Sequence, residues 1–278
     1  MIYVGIVGAL SPLGQEVARF LKEQSDLYRI VFYVDAGYRV SSPGLATYAS
    51  PEAALSFNQP PTLIIDCDDP ITAVERAKTY RFYAVSAIMC CTCMLKDLEL
   101  LQCSYVAENQ PVPALLITPD YVIENIALMR FFWGIAAKHR EDIDRVEVTV
   151  KLPSQKKINL ARWLYFGELL NDKFGKPDAT YSVKGNICNF GNVIIKAVND
   201  DKLADEAQEV SARLYYGDKR YLCYTYMKSS CADRIKDSVS GIKMMLEWFN
   251  SHFDEISDGG VFTDQLCKIL NDKRKNLL

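Results

Sequence analysis

The sequence predicts an α/β fold, with a doubly wound parallel sheet in the first part of the chain and an α+β arrangement around an open mixed sheet in the second. Three observations carry this expectation. Short apolar runs alternate with helical patterns as far as residue 118, the pattern of parallel strands joined by right-handed crossovers. After Pro119 the texture changes to one long helical stretch followed by alternating strands. The chain has 278 residues, of which 49% are hydrophobic and 24% charged, enough for one large domain or two modest ones.

The elements follow in order. "YVGIVG" (3–8) is a short apolar run and reads as a buried strand, and Leu13, Val17, Phe20 and Leu21 then recur at helical spacing. "RIVFYVD" (29–35) is the second strand, and "TLIIDC" (62–67) the third, followed by the helical "ITAVERAKTY" (71–80). "FYAVSAI" (82–88) is the fourth strand, and "ALLIT" (114–118) the fifth after an intervening helix. Beyond Pro119, "VIENIALMRFFWGIAAKH" (122–139) sets Val122, Ile126, Met129, Trp133 and Ala136 on one helical stripe. "RVEVTVKL" (145–152) alternates as a half-buried strand does. A helix around 160–171, strands near 192–198, 209–216 and 220–228, and a helix over 232–253 complete the second part. The domain boundary is placed at 119.

Composition excludes several classes of function. A net charge of −3 does not suit a duplex nucleic-acid partner, which calls for a basic face. No apolar run approaches the ~20 residues of a membrane helix, and "IYVGIVG" is not preceded by the basic segment of a signal peptide. Nine cysteines, an odd number in a chain too large to need staples, read as reduced thiols in a cytoplasmic protein. "CCTC" (90–93) has no second pair, and only His139 and His252 are present, so no metal site is expected. Cys90 and Cys91 follow the fourth strand and are expected to pack as small hydrophobes.

Chemistry is signalled first at "GALSPLG" (8–14), between the first strand and the first helix. A dinucleotide-binding turn stands there, with glycines for the tight turn, for close approach of pyrophosphate and for helix–strand packing. Gly8 and Gly14 are kept, whereas Leu10 and Ser11 occupy the middle. Ser11 suits a helix N-cap and Pro12 the first helical position, and Leu13 follows in the first turn. The N–H groups of that helix end favour a phosphate, and the side chain of Leu10 obstructs its closest approach. Asp35 closes the second strand, where an acidic residue bonds the ribose hydroxyls; Arg39, four residues on, is the alternative, meeting a 2′-phosphate instead.

Taken together, these features resemble the dihydrodipicolinate reductases, which reduce their substrate with NADH or NADPH in lysine and diaminopimelate biosynthesis. "GIVGALSPLGQEVARFL" is similar to the family's G-x-x-G-R-M-G turn and helix, and "LIIDCDDPITAVERA" to its D-F-[ST]-x-P segment. "VSAIMCC" stands at its G-T-T-G turn, which puts Ser86 near the nicotinamide. "YVIENIALM" stands at N-F-S-x-G-V-N-x-x, with Asn125 on the last Asn. "RVEVTVKLPSQKKIN" leads into the place of H-H-x-x-K-x-D-A-P-S-G-T. "KSSCADRIKDSVSGIKMMLEW" and "GGVFTDQLCKIL" are similar to the family's closing segments. The N-terminus alone also resembles aspartate-semialdehyde dehydrogenases.

The resemblance implies a Rossmann-type domain of residues 1–119 and 246–278, and a substrate and oligomerisation domain of 120–245 that forms a homo-tetramer. It also implies NADH or NADPH as cofactor and a small anionic substrate. The chemical residues are strongly altered. The catalytic His pair falls on Pro153 and Ser154, and the S-G-T carboxylate grip on Arg162, Trp163 and Leu164. Lys157, or Lys156 in an alternative register, keeps the lysine slot. Lys157 is therefore the expected proton donor, with Lys156, Lys157, Arg162 and Asn125 expected at the substrate. Removing a general acid costs about 10²–10⁴ in rate. Two expectations follow: a reductase with a changed substrate, or a non-catalytic paralogue acting as a binding, regulatory or structural subunit.

Overall fold

The computed structural model describes residues 1–37, 45–69, 72–90, 113–117, 128, 131–132, 134–136, 138, 140–155, 161–175, 182–204, 207–216, 220–254, 256 and 259–263. The chain divides into two compact units, one of residues Met1–Tyr121 with Ile235–Leu278 and one of Val122–Arg234. The return expected at 246 falls inside a helix whose residues from Ile235 onward already belong to the first unit.

Among the described residues, the first unit is built on seven strands: β1 (Ile2–Val7), β2 (Tyr28–Val34), β3 (Thr47–Tyr48), β4 (Leu63–Asp66), β5 (Ser86–Met89), β6 (Ala114–Ile117) and β13 (Gly260–Thr263). Their order is β13-β6-β5-β4-β1-β2-β3, and every adjacent pair is parallel. The chain proceeds outward from β1 through β2 to β3, then returns to the other side of β1 with β4. The topological switch point therefore lies between β1 and β4, where folds of this kind place ligands at the carboxyl ends of the strands. The central strands are apolar because both faces are covered: Val4, Ile6, Leu63, Ile64, Ile65 and Ile88 are fully buried.

Helix α1 (Pro12–Glu23) buries Gly14, Val17, Ala18 and Leu21, one stripe at helical spacing, and packs on β1 and β2. Helix α2 (Pro51–Phe57) starts at Ser50, whose Oγ accepts from the Ala53 N–H at 3.2 Å. Helix α3 (Ala73–Phe82) buries Ala73, Arg76, Ala77 and Tyr80, so part of its inner face is polar.

One expected strand is corrected here. "FYAVSAI" (82–88) is not extended throughout: α3 runs to Phe82, Tyr83 caps it, and Ala84 adopts φ 53°. The Tyr83 hydroxyl lies 2.7 Å from Ser56 Oγ, and the Val85 N–H donates to Tyr80 O at 2.9 Å. The helix therefore closes with a turn, and β5 starts only at Ser86.

Among the described residues, the second unit holds a six-stranded mixed sheet of order β12-β11-β7-β10-β9-β8. Its strands are β7 (Arg145–Pro153), β8 (Ser182–Lys184), β9 (Ile187–Phe190), β10 (Val193–Asp200), β11 (Gln208–Tyr216) and β12 (Arg220–Ser229). β7 and β10 are parallel, and the other pairs antiparallel. Helix α4 (Ala161–Phe174) packs on β9 and β10 with Phe166, Leu170 and Phe174 buried. Val146, Val148, Val150, Ile195 and Ala212 fill the buried face of the sheet.

The other face is charged. Glu147 accepts from the Tyr215 hydroxyl at 2.9 Å and lies 3.4 Å from Arg145 Nε and 3.8 Å from Lys196 Nζ. Lys151 pairs with Asp200 at 3.3 Å and Glu209 at 3.7 Å. The Lys202 N–H and the Lys151 ammonium hold the Asp200 carboxyl below the usual aspartate range. Helix α5 (Cys231–Ser251) leaves this unit and buries Ile242, Met245, Leu246 and Phe249 in the first. None of the described helices is long and apolar enough to cross a membrane.

Candidate functional site: the turn at the switch point

The turn after β1 is built by its two glycines. Gly8 has φ +69°, and a Cβ there would stand 2.7 Å from the backbone of Cys67 and Asp68. A side chain is excluded both by conformation and by the loop that follows β4. At Gly14 a Cβ would collide with the Gly8 carbonyl oxygen and stand 3.0 Å from Ala9 Cα. The start of α1 thus lies directly on the end of β1, and only glycine allows that approach. Ser11 has extended backbone (φ −64°, ψ 153°), and its Oγ accepts from the Gly14 N–H at 3.0 Å. The same hydroxyl donates to the Cys67 carbonyl at 3.4 Å, which ties the helix start to the strand across the switch point. Ser11→Ala is expected to cost about 1 kcal/mol, the usual worth of such a cap. Denaturant unfolding checks this, with Ser11→Thr, which keeps the capping hydroxyl, recovering most of the loss.

An account of the N–H groups shows what the turn can offer an anion. Gly8 and Ala9 donate to Val34 O at 2.9 and 3.2 Å, and Ser11 to Gly8 O at 3.1 Å. Leu10 donates to Asp35 Oδ2 at 2.9 Å, Pro12 has no N–H, and Gly14 is capped by Ser11. Among the described residues, the Leu13 N–H is the donor of this turn with no acceptor shown. The helix end can therefore direct one backbone N–H, with the positive end of its dipole, at a phosphate.

Asp35, expected at the ribose, lies just past the end of β2 beside the turn, and its carboxylate is already engaged. Oδ2 accepts from Leu10, and Oδ1 accepts from the Gly37 N–H at 2.9 Å. A carboxylate has about four acceptor positions, so capacity remains for ribose hydroxyls. The side chain of Leu10 is 54% exposed, at the mouth of the turn.

The sequence reading did not find the group at the carboxyl end of β4. Asp66 is fully buried, and Arg76 grips it with two bonds, Nε to Oδ2 at 2.7 Å and Nη2 to Oδ1 at 3.0 Å. The Tyr80 hydroxyl donates to Oδ2 at 2.7 Å and the Asp68 N–H to Oδ1 at 3.1 Å. Arg76 Nη1 donates to Thr72 Oγ1 at 2.5 Å and lies 3.8 Å from Asp68 Oδ2. The signal was present: an aspartate ends an apolar strand, and Arg76 and Tyr80 lie four residues apart on one face of the next helix.

The remaining expected residues fare differently. Ser86 is at the amino end of β5, opposite Leu63, and its Oγ accepts from the Ala114 N–H at 3.0 Å. Three residues of strand, at about 3.3 Å each, separate it from the carboxyl edge. It is not brought to the turn; Met89, opposite Asp66, and then Cys90 reach that edge. Arg162 is the second residue of α4. Arg39, Asn125, Lys156 and Lys157 lie outside the described residues, as do Cys91 and His139. Cys67, Cys90, Cys188 and Cys231 form no disulfide, and burial pushes the Cys188 thiol up. Among the described residues, no group of three or more His, Cys, Asp or Glu is placed to hold a metal ion.

The sequence matches no protein-family model and no curated protein sequence. Solved structures resemble it in fold. One is a dipicolinate-bound dihydrodipicolinate reductase from Paenisporosarcina sp. TG-14, at 13% identity and TM-score 0.63, covering 94% of this chain and 98% of that one. Another is a myo-inositol 2-dehydrogenase from Lactobacillus plantarum, at 9% identity and TM-score 0.62, covering 97% and 94%. A third is GenD2 of gentamicin A biosynthesis in complex with NAD, at 13% identity and TM-score 0.59, covering 88% and 85%. At these identities the likeness is one of fold: this chain shares the two-part α/β architecture of these proteins.

Proposed function

We propose that this chain is an NAD(P)(H)-dependent oxidoreductase on the dihydrodipicolinate reductase plan, with its substrate site rebuilt for another small anionic molecule. The observation that carries the proposal is the turn itself. At the switch point, Gly8 and Gly14 leave no room for a side chain, no described residue is shown to accept from the Leu13 N–H, and Asp35 stands at the end of the neighbouring strand. The likeness in fold to a reductase, to a dehydrogenase and to a protein solved with NAD supports it.

In this proposal the turn holds the dinucleotide with residues Gly8, Leu10, Ser11, Pro12, Leu13 and Gly14, and Asp35 receives the ribose hydroxyls. The cofactor supplies the hydride when bound. Lys157 delivers the proton, and Lys156, Arg162 and Asn125 hold the anionic substrate. The unit of Met1–Tyr121 with Ile235–Leu278 serves as the cofactor domain and that of Val122–Arg234 as the substrate domain, and the protein works as a homo-oligomer, a tetramer by resemblance. Titration with NADH and NADPH, read by nicotinamide fluorescence, tests this: saturable binding of one or both is expected. No binding of either at millimolar concentration overturns it. Leu10→Gly is expected to tighten binding, and unchanged or weaker affinity would show that Leu10 does not limit the approach of phosphate.

A second reading has an observation in its favour. Leu10, Ser11 and Gly14 already donate within the turn or to Asp35, and Pro12 has no N–H. A turn so internally satisfied also suits a non-catalytic paralogue that keeps the fold. Cofactor binding without turnover of any small keto or imino acid would favour it.

A further inference from the structure

We propose that Arg76 is a positioning residue for the turn at the switch point, acting through Asp66 and the loop Cys67–Asp69. The assignment rests on a chain of contacts. Arg76 fixes both oxygens of the buried Asp66 carboxylate. Asp66 Oδ1 then accepts from the Asp68 N–H, which sets the loop immediately after β4. That loop is the floor of the turn: its backbone fills the space where a Gly8 side chain would stand. Its Cys67 carbonyl receives the Ser11 hydroxyl, and its Cys67 N–H donates to Val7 O at 2.8 Å.

A carboxylate buried in an apolar strand end has to be matched by a cation and by donors on its remaining lone pairs. Here the match uses a rigid guanidinium fork, which a lysine cannot reproduce. The orientation of Asp66 is thereby fixed, and with it the height of the Cys67–Asp69 backbone under Gly8 and Ser11. The Arg76 and Asp66 side chains are buried, at 6% and 0% exposure, so Arg76 acts on a ligand through the turn.

The affinity arm of the test rests on the proposed cofactor, and the exchange arm does not. Arg76→Lys and the double replacement Asp66→Leu with Arg76→Met are compared with the unaltered chain and with Phe249→Leu, a core change on α5 remote from the turn in sequence. Apolar replacement of a buried pair is often neutral for stability, so the double variant separates positioning from folding. Native-state hydrogen exchange at the Ser11, Gly14 and Asp68 amides is expected to quicken at least tenfold in both Arg76 variants and to stay within twofold in Phe249→Leu. NADH affinity is expected to fall at least tenfold in the same two variants, even where the melting temperature is restored. Exchange at these amides equal to that of the unaltered chain overturns the assignment, whether or not NADH binds. An unaltered chain that binds neither cofactor overturns the proposed function and leaves the exchange result to decide on Arg76.

Discussion

Arg76→Ala is expected to lower the stability of the first unit by about 3–5 kcal/mol, the largest effect of any single side-chain truncation at this site. The arginine side chain is 6% exposed and the Asp66 side chain 0%. Truncation leaves Asp66 with the Tyr80 hydroxyl and the Asp68 N–H but without its cation. A buried carboxylate in that state either stays charged at high cost or takes up a proton, and both weaken the native state. The surface pairs of Arg19 with Glu16 and Glu23 give the comparison, since all three side chains are well exposed and such pairs are worth about 0–1 kcal/mol. Urea unfolding followed at a first-unit probe such as Trp248 measures both. A loss below about 1 kcal/mol for Arg76→Ala would show that the pair is replaceable by water or by a rearranged loop.

Gly8→Ala is expected to cost about 2–5 kcal/mol and to remove the turn as a phosphate site. Two costs combine. A left-handed conformation with a Cβ costs about 1–2 kcal/mol, and overpacking against a fixed neighbour about 1–3 kcal/mol. The neighbour here is backbone, the Cys67 carbonyl carbon and the Asp68 nitrogen at 2.7 Å, and it cannot swing aside as a side chain would. The floor of the turn must move, and a displacement near 1 Å of a positioning element costs on the order of 10²-fold in rate. Thermal unfolding and NADH titration check the two effects separately. Retention of cofactor affinity in Gly8→Ala would mean that the ligand does not lie against this turn.

The architecture was largely legible in the sequence because burial on both faces makes parallel strands read as continuous apolar runs. β1, β2, β4 and β6 stand within one or two residues of the runs that announced them. β7 and β11 were legible for the opposite reason, an alternation that follows from one buried face. The fourth strand was misplaced because Phe82, Tyr83 and Val85 look like strand residues, and nothing local reveals that Ala84 turns the chain. Ser86 was placed near the nicotinamide by the resemblance to the G-T-T-G turn, whereas its pairing with Leu63 sets it at the amino end of β5. The short β3 and the β8–β9 hairpin were not expected, since two to four residues make no period. At the site, glycine and cap chemistry were local and therefore visible. The use of the Leu10 N–H by Asp35 joins residues 25 positions apart, and no spacing rule encodes it; Arg76 and Tyr80 share a helix face that the sequence shows, but their spacing does not name Asp66 as the partner.

The alternation along β7 also bears on how the second unit reaches its native pairing. Val146, Val148 and Val150 point to the buried face, and Glu147 and Lys151 carry charge networks on the other. A slip of one residue against β10 or β11 would turn both charges inward and three valines to water. Mispaired registers are therefore far above the native one in energy, and the strand proofreads its own alignment during folding. β7 must nevertheless meet β10 in parallel, and Val146 pairs with Val193 across a long intervening segment. Non-local closure of that kind is slow. The second unit should thus fold slowly but with few misregistered products, its accuracy written into one alternating strand.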